Sequence, residues 1–205
     1  MKDGDWLETG EWKEEDRGRR SDVQRMVEQA QEGTSFYHAC CDEPTSAQFP
    51  HAYGKLLEGR ARSRIQPSRD VQVVVKIGPT GCGKTKSVYD AFWPDLFVQD
   101  MSSGSALWWD GYEGQTCLLL DDFDGSGIHF RWLLRLLDRY PVRLAVKGGF
   151  TYGVWEKVVI TTNKPMMSWY PKETDIAPLA RRIDHIERYD SLGNYVTEVF
   201  QSAAL

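Results

Sequence analysis

The sequence predicts a three-layer α/β domain with a small helical unit ahead of it, and three observations lead there. Runs from Val71 to Ile77, Cys117 to Leu120 and Lys157 to Thr162 are apolar or β-branched, as strands covered on both faces are. From Val71 onward such runs alternate with amphipathic stretches, the order of a sheet sandwiched by helices. Before Arg60 only helical periodicity is present. The chain therefore divides into a leader (1–18), a helical unit (19–60), a linker (61–70) and the α/β domain (71–205). Its 205 residues suffice for one such domain and an appendage.

Ser21 to Gln24 fits a capping box, Val23, Met26, Val27 and Ala30 share one helical face, and Gly33 stops the helix. Ser35 to Cys41 adds a short helix, and another starts near Pro50 with Tyr53, Leu56 and Leu57 inward. Three short helices bury little by themselves, so they are expected to pack on one another and on a neighbouring subunit. Arg60, Arg62, Arg64 and Arg69 read first as a solvated connection and second as a DNA or nuclear-import patch. His129 to Tyr140 is amphipathic, with Trp132, Leu133, Leu136 and Leu137 on one side and Arg131, Arg135 and Arg139 on a wet face. Val142 to Val146 and Phe150 to Trp155 are expected to pair around Lys147-Gly148-Gly149, and His185 to Tyr189 with Tyr195 to Phe200 around Gly193-Asn194.

Composition narrows the function classes. With 25 Lys and Arg against 30 Asp and Glu the net charge is −5, which argues against a surface broadly coated for nucleic acid; such contacts must be local. The cysteines have no zinc spacing: Cys40 and Cys41 are adjacent, and Cys82 and Cys117 fall in a loop and a core strand. That usage implies a reducing compartment. No signal-type apolar segment or bilayer-length apolar run is present, so no membrane partner is expected.

Gly78-Pro79-Thr80-Gly81-Cys82-Gly83-Lys84-Thr85 is a complete phosphate-binding loop after an apolar strand. Gly78, Gly81 and Gly83 permit the tight backbone path on which N–H groups converge on phosphate. Lys84 can reach the β- and γ-phosphates of ATP, and the Thr85 hydroxyl can ligate Mg²⁺. The aliphatic run ending at Leu120 delivers Asp121 and Asp122, a pair that is costly at a strand end unless a cation sits there. Their side chains point apart, so Asp121 is assigned to the magnesium and Asp122 to orienting or deprotonating the attacking water. The bland alternative is a pair capping a strand-end turn. Asn163 ends the third run and can hydrogen-bond both a γ-phosphate oxygen and the water, although asparagine before Lys164-Pro165 also fits a plain turn.

The order of phosphate loop, aliphatic strand with Asp-Asp, and strand ending in Thr161-Thr162-Asn163 resembles the superfamily 3 helicases of small DNA viruses. More narrowly it is similar to the helicase part of the replication-initiator proteins of circoviruses and related circular single-stranded DNA viruses. Trp108-Trp109-Asp110-Gly111-Tyr112, Leu133 to Pro141, Lys147-Gly148-Gly149 and Ala180-Arg181-Arg182-Ile183 carry the likeness, which extends from about Arg19 to Ile183. The resemblance implies a P-loop NTPase fold of AAA+ type whose helical unit is an oligomerisation collar. It also implies a hexameric ring with ATP and Mg²⁺ at subunit interfaces, a channel holding single-stranded DNA, and a location in the host nucleus.

In that family the hairpin projects into the channel, which implies a DNA contact by Lys147, Gly148 and Phe150, with Lys147 gripping a phosphate and Phe150 either bracing the hairpin or touching a base. The alternative for Lys147 is a turn lysine kept in water. An arginine from one subunit reaches the nucleotide of the next, a role carried to Arg181 and Arg182 as a pair. The family's N-terminal endonuclease has no counterpart here: no paired-histidine motif and no Tyr-x-x-Lys precedes the phosphate loop. Lys2-Asp3-Gly4 resembles the residues directly after the catalytic tyrosine of that family, so the chain is expected to be the helicase half, unable by itself to nick DNA. Equally, Met1 to Gly18, with Trp6 and Trp12, reads as an acidic leader.

The expected activity is that of an ATP-dependent DNA helicase of 3′ to 5′ polarity serving rolling-circle replication. The alternatives are an assembly and single-stranded DNA-binding module with weak ATPase, and a viral RNA helicase.

Overall fold

The computed structural model describes residues 20–63, 65–101, 107–147 and 149–199. Lys2, Asp3, Gly4, Trp6, Trp12, Arg64, Gly148 and Phe200 lie outside the described residues. The chain separates into two compact units, one ending at Leu56 and the other beginning at Leu57.

In the first unit, α1 (Ser21–Glu32) ends on Gly33, whose φ of 89° is the left-handed termination that glycine tolerates best. The expected capping box does not form. Arg20 is the N-cap, without a side-chain cap bond, and Ser21 already lies inside the helix. Arg20 is instead held by a bidentate pairing with Asp22. The shorter α2 (Phe36–Asp42) is capped by Ser35, whose hydroxyl accepts the His38 N–H. A 3₁₀ turn, Pro44–Gln48, leads into α3 (Pro50–Ser63). Met26, Ala30, Ala39 and Tyr53 are buried, and the Tyr53 hydroxyl donates to the Thr34 carbonyl at 2.8 Å, so one aromatic both fills and orients this small core.

The second unit is an α/β sheet of mostly parallel strands. In chain order these are β1 (Gln72–Ile77), α4 (Lys84–Phe92), β2 (Leu96–Val98), β3 (Cys117–Leu120), α5 (Phe130–Leu136), β4 (Val142–Val146), β5 (Gly149–Gly153), β6 (Lys157–Thr162), α6 (Ala177–Ala180), β7 (His185–Tyr189) and β8 (Tyr195–Val199). The main sheet runs β2-β3-β6-β1-β7-β8, parallel until β8 returns antiparallel along β7. β4 and β5 form a separate antiparallel hairpin whose last pair is Val146 with Gly149.

The uninterrupted apolar runs split by the two-residue period of a strand. Val73, Val75, Leu118, Leu120, Val158 and Ile160 join the large core with α5 and the hairpin. Cys117, Leu119 and Val159 pack with Val88 of α4 and Leu96 on the other face. Burial pushes the Cys117 thiol up to about 11, so it is a small apolar core group at neutral pH.

Two sequence expectations are corrected in this unit. The amphipathic stretch to Tyr140 is helical only to Leu136, because the groups beyond it are taken elsewhere: the Arg139 carbonyl accepts the Arg69 N–H at 3.0 Å, and Asp138 is bound by Arg182. Pro141 further disfavours a helical Tyr140. Arg69 is no solvated linker residue. Its guanidinium donates to the carbonyls of Gly153 (2.7 Å), Trp155 (3.1 Å) and Asp138 (3.3 Å) and lies over the Trp155 ring at 4.8 Å. Burial lowers its pKa to about 10, so it stays cationic and clamps the base of the hairpin.

Candidate functional site

The strand order explains where chemistry can occur. β6 lies between β1 and β3, so the carboxyl ends of three adjacent strands open on one crevice, the usual ligand position in a parallel sheet. From β1, Gly78 enters the phosphate loop while its N–H donates to the Thr162 carbonyl of β6 at 3.1 Å. A Cβ added at Gly78 would meet Tyr189 Cβ at 2.7 Å and its carbonyl oxygen at 2.8 Å, so close approach to β7 demands glycine here. Gly81 and Gly83 have φ of 83° and 89°. Pro79, Thr80, Gly81 and Gly83 are exposed, whereas Cys82 and Lys84 are buried. The Lys84 ammonium donates to the carbonyls of Gly78 and Pro79, both at 2.8 Å, so it is already folded back over the loop.

Thr85, in the first turn of α4, donates from Oγ1 to Asp121 Oδ1 at 2.7 Å. Thr161 Oγ1 donates to the same oxygen at 2.6 Å and accepts the Asp122 N–H at 2.8 Å. Thr161 is 1 % exposed. One hydroxyl on the central strand thus fixes the Asp121 carboxylate and the backbone of Asp122, which sits in the left-handed region at φ 48°. Asp122 is exposed and lies in the turn after β3, so its placement follows from the left-handed turn and not from strand alternation. Among the described residues nothing donates to Asp121 Oδ2. A threonine hydroxyl and a carboxylate with one oxygen anchored are hard donors of the kind Mg²⁺ takes when phosphates and water complete its shell. The residues present therefore fit that ion. Elsewhere, among the described residues, no group of three or more His, Cys, Asp or Glu gathers as a metal site.

Beneath the loop, Lys76 of β1 is buried and donates to Glu187 Oε2 (2.6 Å), the Tyr189 hydroxyl (3.0 Å) and Ser87 Oγ (3.1 Å). Burial is the largest single effect and works against its charge, but the hydrogen bonds and charge attraction of Glu187 and Tyr189 together outweigh it, and the Lys76 pKa lies above the ordinary value. These contacts pin β1, β7 and α4 together where the loop starts. On the other side Asn163 is exposed at the end of β6, and the next residue, Lys164, pairs with Asp124 at 3.0 Å. Hydrogen bonds from Ser126, and then Lys164, hold the Asp124 carboxyl down at about 2.

The two arginines separate. Arg182 donates to Asp138 Oδ2 and to the Pro178 carbonyl, both at 2.6 Å, and is largely buried. Burial is the largest single effect and opposes the Asp138 charge, yet the bond and charge of Arg182 together with Arg139 outweigh it, and the carboxyl lies below the usual range. Arg181, one residue earlier, is exposed; its backbone N–H donates to the Ala177 carbonyl, and its side chain has no ion-pair partner among the described residues.

The hairpin forms a sheet of its own, apart from the strands that carry the phosphate loop. Lys147 is exposed; its backbone N–H donates to Asp110 Oδ1 at 2.8 Å and its ammonium lies 3.9 Å from Oδ2. Phe150 is 40 % exposed, with the Arg143 guanidinium 3.5 Å from its ring centroid. Trp109 is fully buried, stacked on Trp155 at 5.3 Å, and donates its backbone N–H to the Ala145 carbonyl. The Trp108-to-Tyr112 segment is therefore the seat of the hairpin.

Sequence reasoning missed Thr161, Lys76 and Arg69 as parts of these sites. For Thr161 a signal existed, since a threonine near a strand-end asparagine is polar where the strand is otherwise aliphatic. Its partners could only be named once β6 was placed between β1 and β3.

The chain is similar to known proteins. The family described as RNA helicase matches residues 74–164, from β1 through the end of β6. The replication-associated protein of goose circovirus is 34% identical over 170 residues, covering 82% of this chain and 55% of that relative. That of beak and feather disease virus is 34% identical over 148 residues, 70% of this chain and 49% of the relative. That of porcine circovirus 1 is 31% identical over 194 residues, 89% and 58%. The chain spans about half the length of the curated relatives it matches. No helix among the described residues is long and apolar enough to cross a membrane. The phosphate loop, the paired aspartates and the carboxyl ends of β1, β3 and β6 fall inside the matched region, and the chain carries a superfamily 3 helicase domain of the kind found in circovirus replication-associated proteins.

Proposed function

We propose that this chain hydrolyses ATP to move along single-stranded DNA during replication of a small circular viral genome, working as a ring, of six subunits by family likeness. The observation that carries the reading is the convergence of Lys84, Thr85 and Asp121 at the ends of adjacent strands. ATP is the substrate. The exposed loop N–H groups and the α4 N-terminus cradle its phosphates, and Lys84 exchanges its carbonyl partners for phosphate oxygens. Thr85 and Asp121 would hold Mg²⁺, which neutralises charge developing on the phosphates. Asp122, open to solvent, orients the attacking water and accepts its proton, while Asn163 holds that water against the terminal phosphate.

Arg181 is the residue we assign to a neighbouring subunit's nucleotide, because Arg182 is already committed to Asp138. Lys147 meets the strand backbone. Polarity by family likeness is 3′ to 5′.

The test is ATP turnover with and without a single-stranded oligonucleotide, followed by unwinding of duplexes with a 3′ or a 5′ tail. DNA-stimulated turnover with unwinding from the 3′ tail is the expected result. Turnover stimulated by RNA alone would replace the substrate, and binding without turnover would reduce the chain to an assembly and DNA-binding module.

A further inference from the structure

On the outer face of the β4–β5 hairpin, toward α5, lies an open pocket of about 490 Å³, within the size range of small-ligand sites. Its wall is built by strand alternation. Leu144 turns into the core, so Arg143 and Ala145 face outward, and Phe150, paired with Ala145, comes diagonally beside Arg143. The Arg143 guanidinium lies over Phe150, 3.5 Å from the ring centroid. Across the pocket α5 presents a second pair of the same type, Arg135 over Trp132 at 4.8 Å. His129 and the neighbouring Gly127–Ile128 segment, with Leu107, line the rest.

The charge of this wall is the reverse of the molecule's. The chain carries a net charge of −5, yet no carboxylate lines the pocket, and neither Arg135 nor Arg143 has an acidic partner among the described residues. Two exposed cations without counter-ions call for an anionic occupant. Two guanidinium-covered rings call for a flat one, because base faces stack on aromatic and arginine planes alike. An acidic peptide would use the charges and leave the rings idle.

We propose that this pocket seats one nucleobase of a single strand, stacked on the Arg143–Phe150 and Arg135–Trp132 pairs, with the guanidinium edges on the flanking phosphates. The inference rests on the reading that the chain binds single strands, and adds to the backbone grip of Lys147 a contact that senses whether a base is present.

The experiment compares fluorescence anisotropy of labelled oligothymidylate with an abasic strand of equal length and equal charge, using the whole chain. Oligothymidylate should bind about tenfold tighter, the range of one stacked base. Phe150→Ala should bring the ratio near one. Trp132→Phe, which keeps a ring, should preserve the ratio. Arg143→Gln and Arg135→Gln should each lower the slope of affinity against salt by about one. Equal affinity for the two strands, or an undiminished ratio in Phe150→Ala, overturns the pocket while leaving the proposed function intact. Binding of neither strand overturns both. If Phe150→Ala instead shifts the mass of the assembly with the ratio unchanged, the pocket seats another copy of the chain and the inference is wrong.

Discussion

The carboxyl ends of β1, β3 and β6 and the outer face of the hairpin both serve polyanions in our reading, yet they hold their polar groups differently. At the strand ends, Lys84, Thr85, Asp121 and Thr161 are each bound to another protein group, while Asp122 and Asn163 are left to solvent. At the hairpin, Lys147, Arg143 and Arg135 are exposed, with rings beneath the two arginines. Bond-making chemistry needs groups fixed before the substrate arrives, since reorganisation at that moment raises the barrier. A strand that slides needs cations that take and release partners. The difference also predicts how each region responds to mutation: steeply and specifically at the first, shallowly and with salt dependence at the second.

The most severe test removes the anchors of the first region. Lys84→Ala should abolish turnover by weakening nucleotide binding, while Asp122→Asn should keep ATP bound and lose turnover by about 10²-fold or more, read by equilibrium binding beside steady-state kinetics. Normal turnover in Asp122→Asn would remove it from the reaction.

Next in size is Arg181→Ala. If the arginine serves a neighbour, the variant should assemble and bind ATP but hydrolyse it about 10³-fold more slowly. Co-assembly with Lys84→Ala should restore part of the rate, because interfaces form between an intact loop and an intact arginine. Mixed assemblies with proven subunit exchange and no recovery would make the site self-contained.

Thr161→Val separates positioning from chemistry. It keeps the shape but frees Asp121 from its second donor and Asp122 N–H from its acceptor, so kcat should fall roughly tenfold with KM nearly unchanged. Thr161→Ser should recover most of the loss. An equal loss in Thr161→Ser would point to packing of the methyl group in place of the hydroxyl.

Stability gives a smaller effect with the contrast reversed. Arg182→Met should cost about 2 kcal/mol, less than a fully buried pair would, because Asp138 keeps some water. Arg181→Ala should leave the thermal midpoint unchanged. Smallest is the acid response of Asp124. Its carboxyl is depressed from 3.8 to about 2, so its contribution is complete above the ordinary value and is lost as pH falls through about 2. Lys164→Met should lower stability slightly at neutral pH, and its difference from the unmodified chain should vanish once Asp124 is protonated.

The α/β class was legible because strand runs and a phosphate loop are local in sequence, and the loop, Asp121 and Asp122 need no distant partner to be named. Thr161 was hidden by topology: β6 comes after β3 and the hairpin in the chain but is inserted between β3 and β1 in the sheet. Arg69 was hidden by company, since an arginine after three others in a polar stretch looks solvated, and its three carbonyl partners lie far along the chain. Ser21 looked like a cap because residue type alone cannot fix a helix start to within one position. The Arg181–Arg182 pair could be divided only by finding Asp138 beside one of them.

The contact between Gly78 and Tyr189 bears on heredity. A methyl group at position 78 would press on the main-chain oxygen of β7, which cannot rotate aside as a side chain can. Among replicating variants this codon has one acceptable meaning, whereas the exposed Thr80 beside it is free of that veto. A strand distant in sequence thereby constrains the spelling of the nucleotide loop, and any change at Gly78 would have to be accompanied by a shift of the Tyr189 main chain.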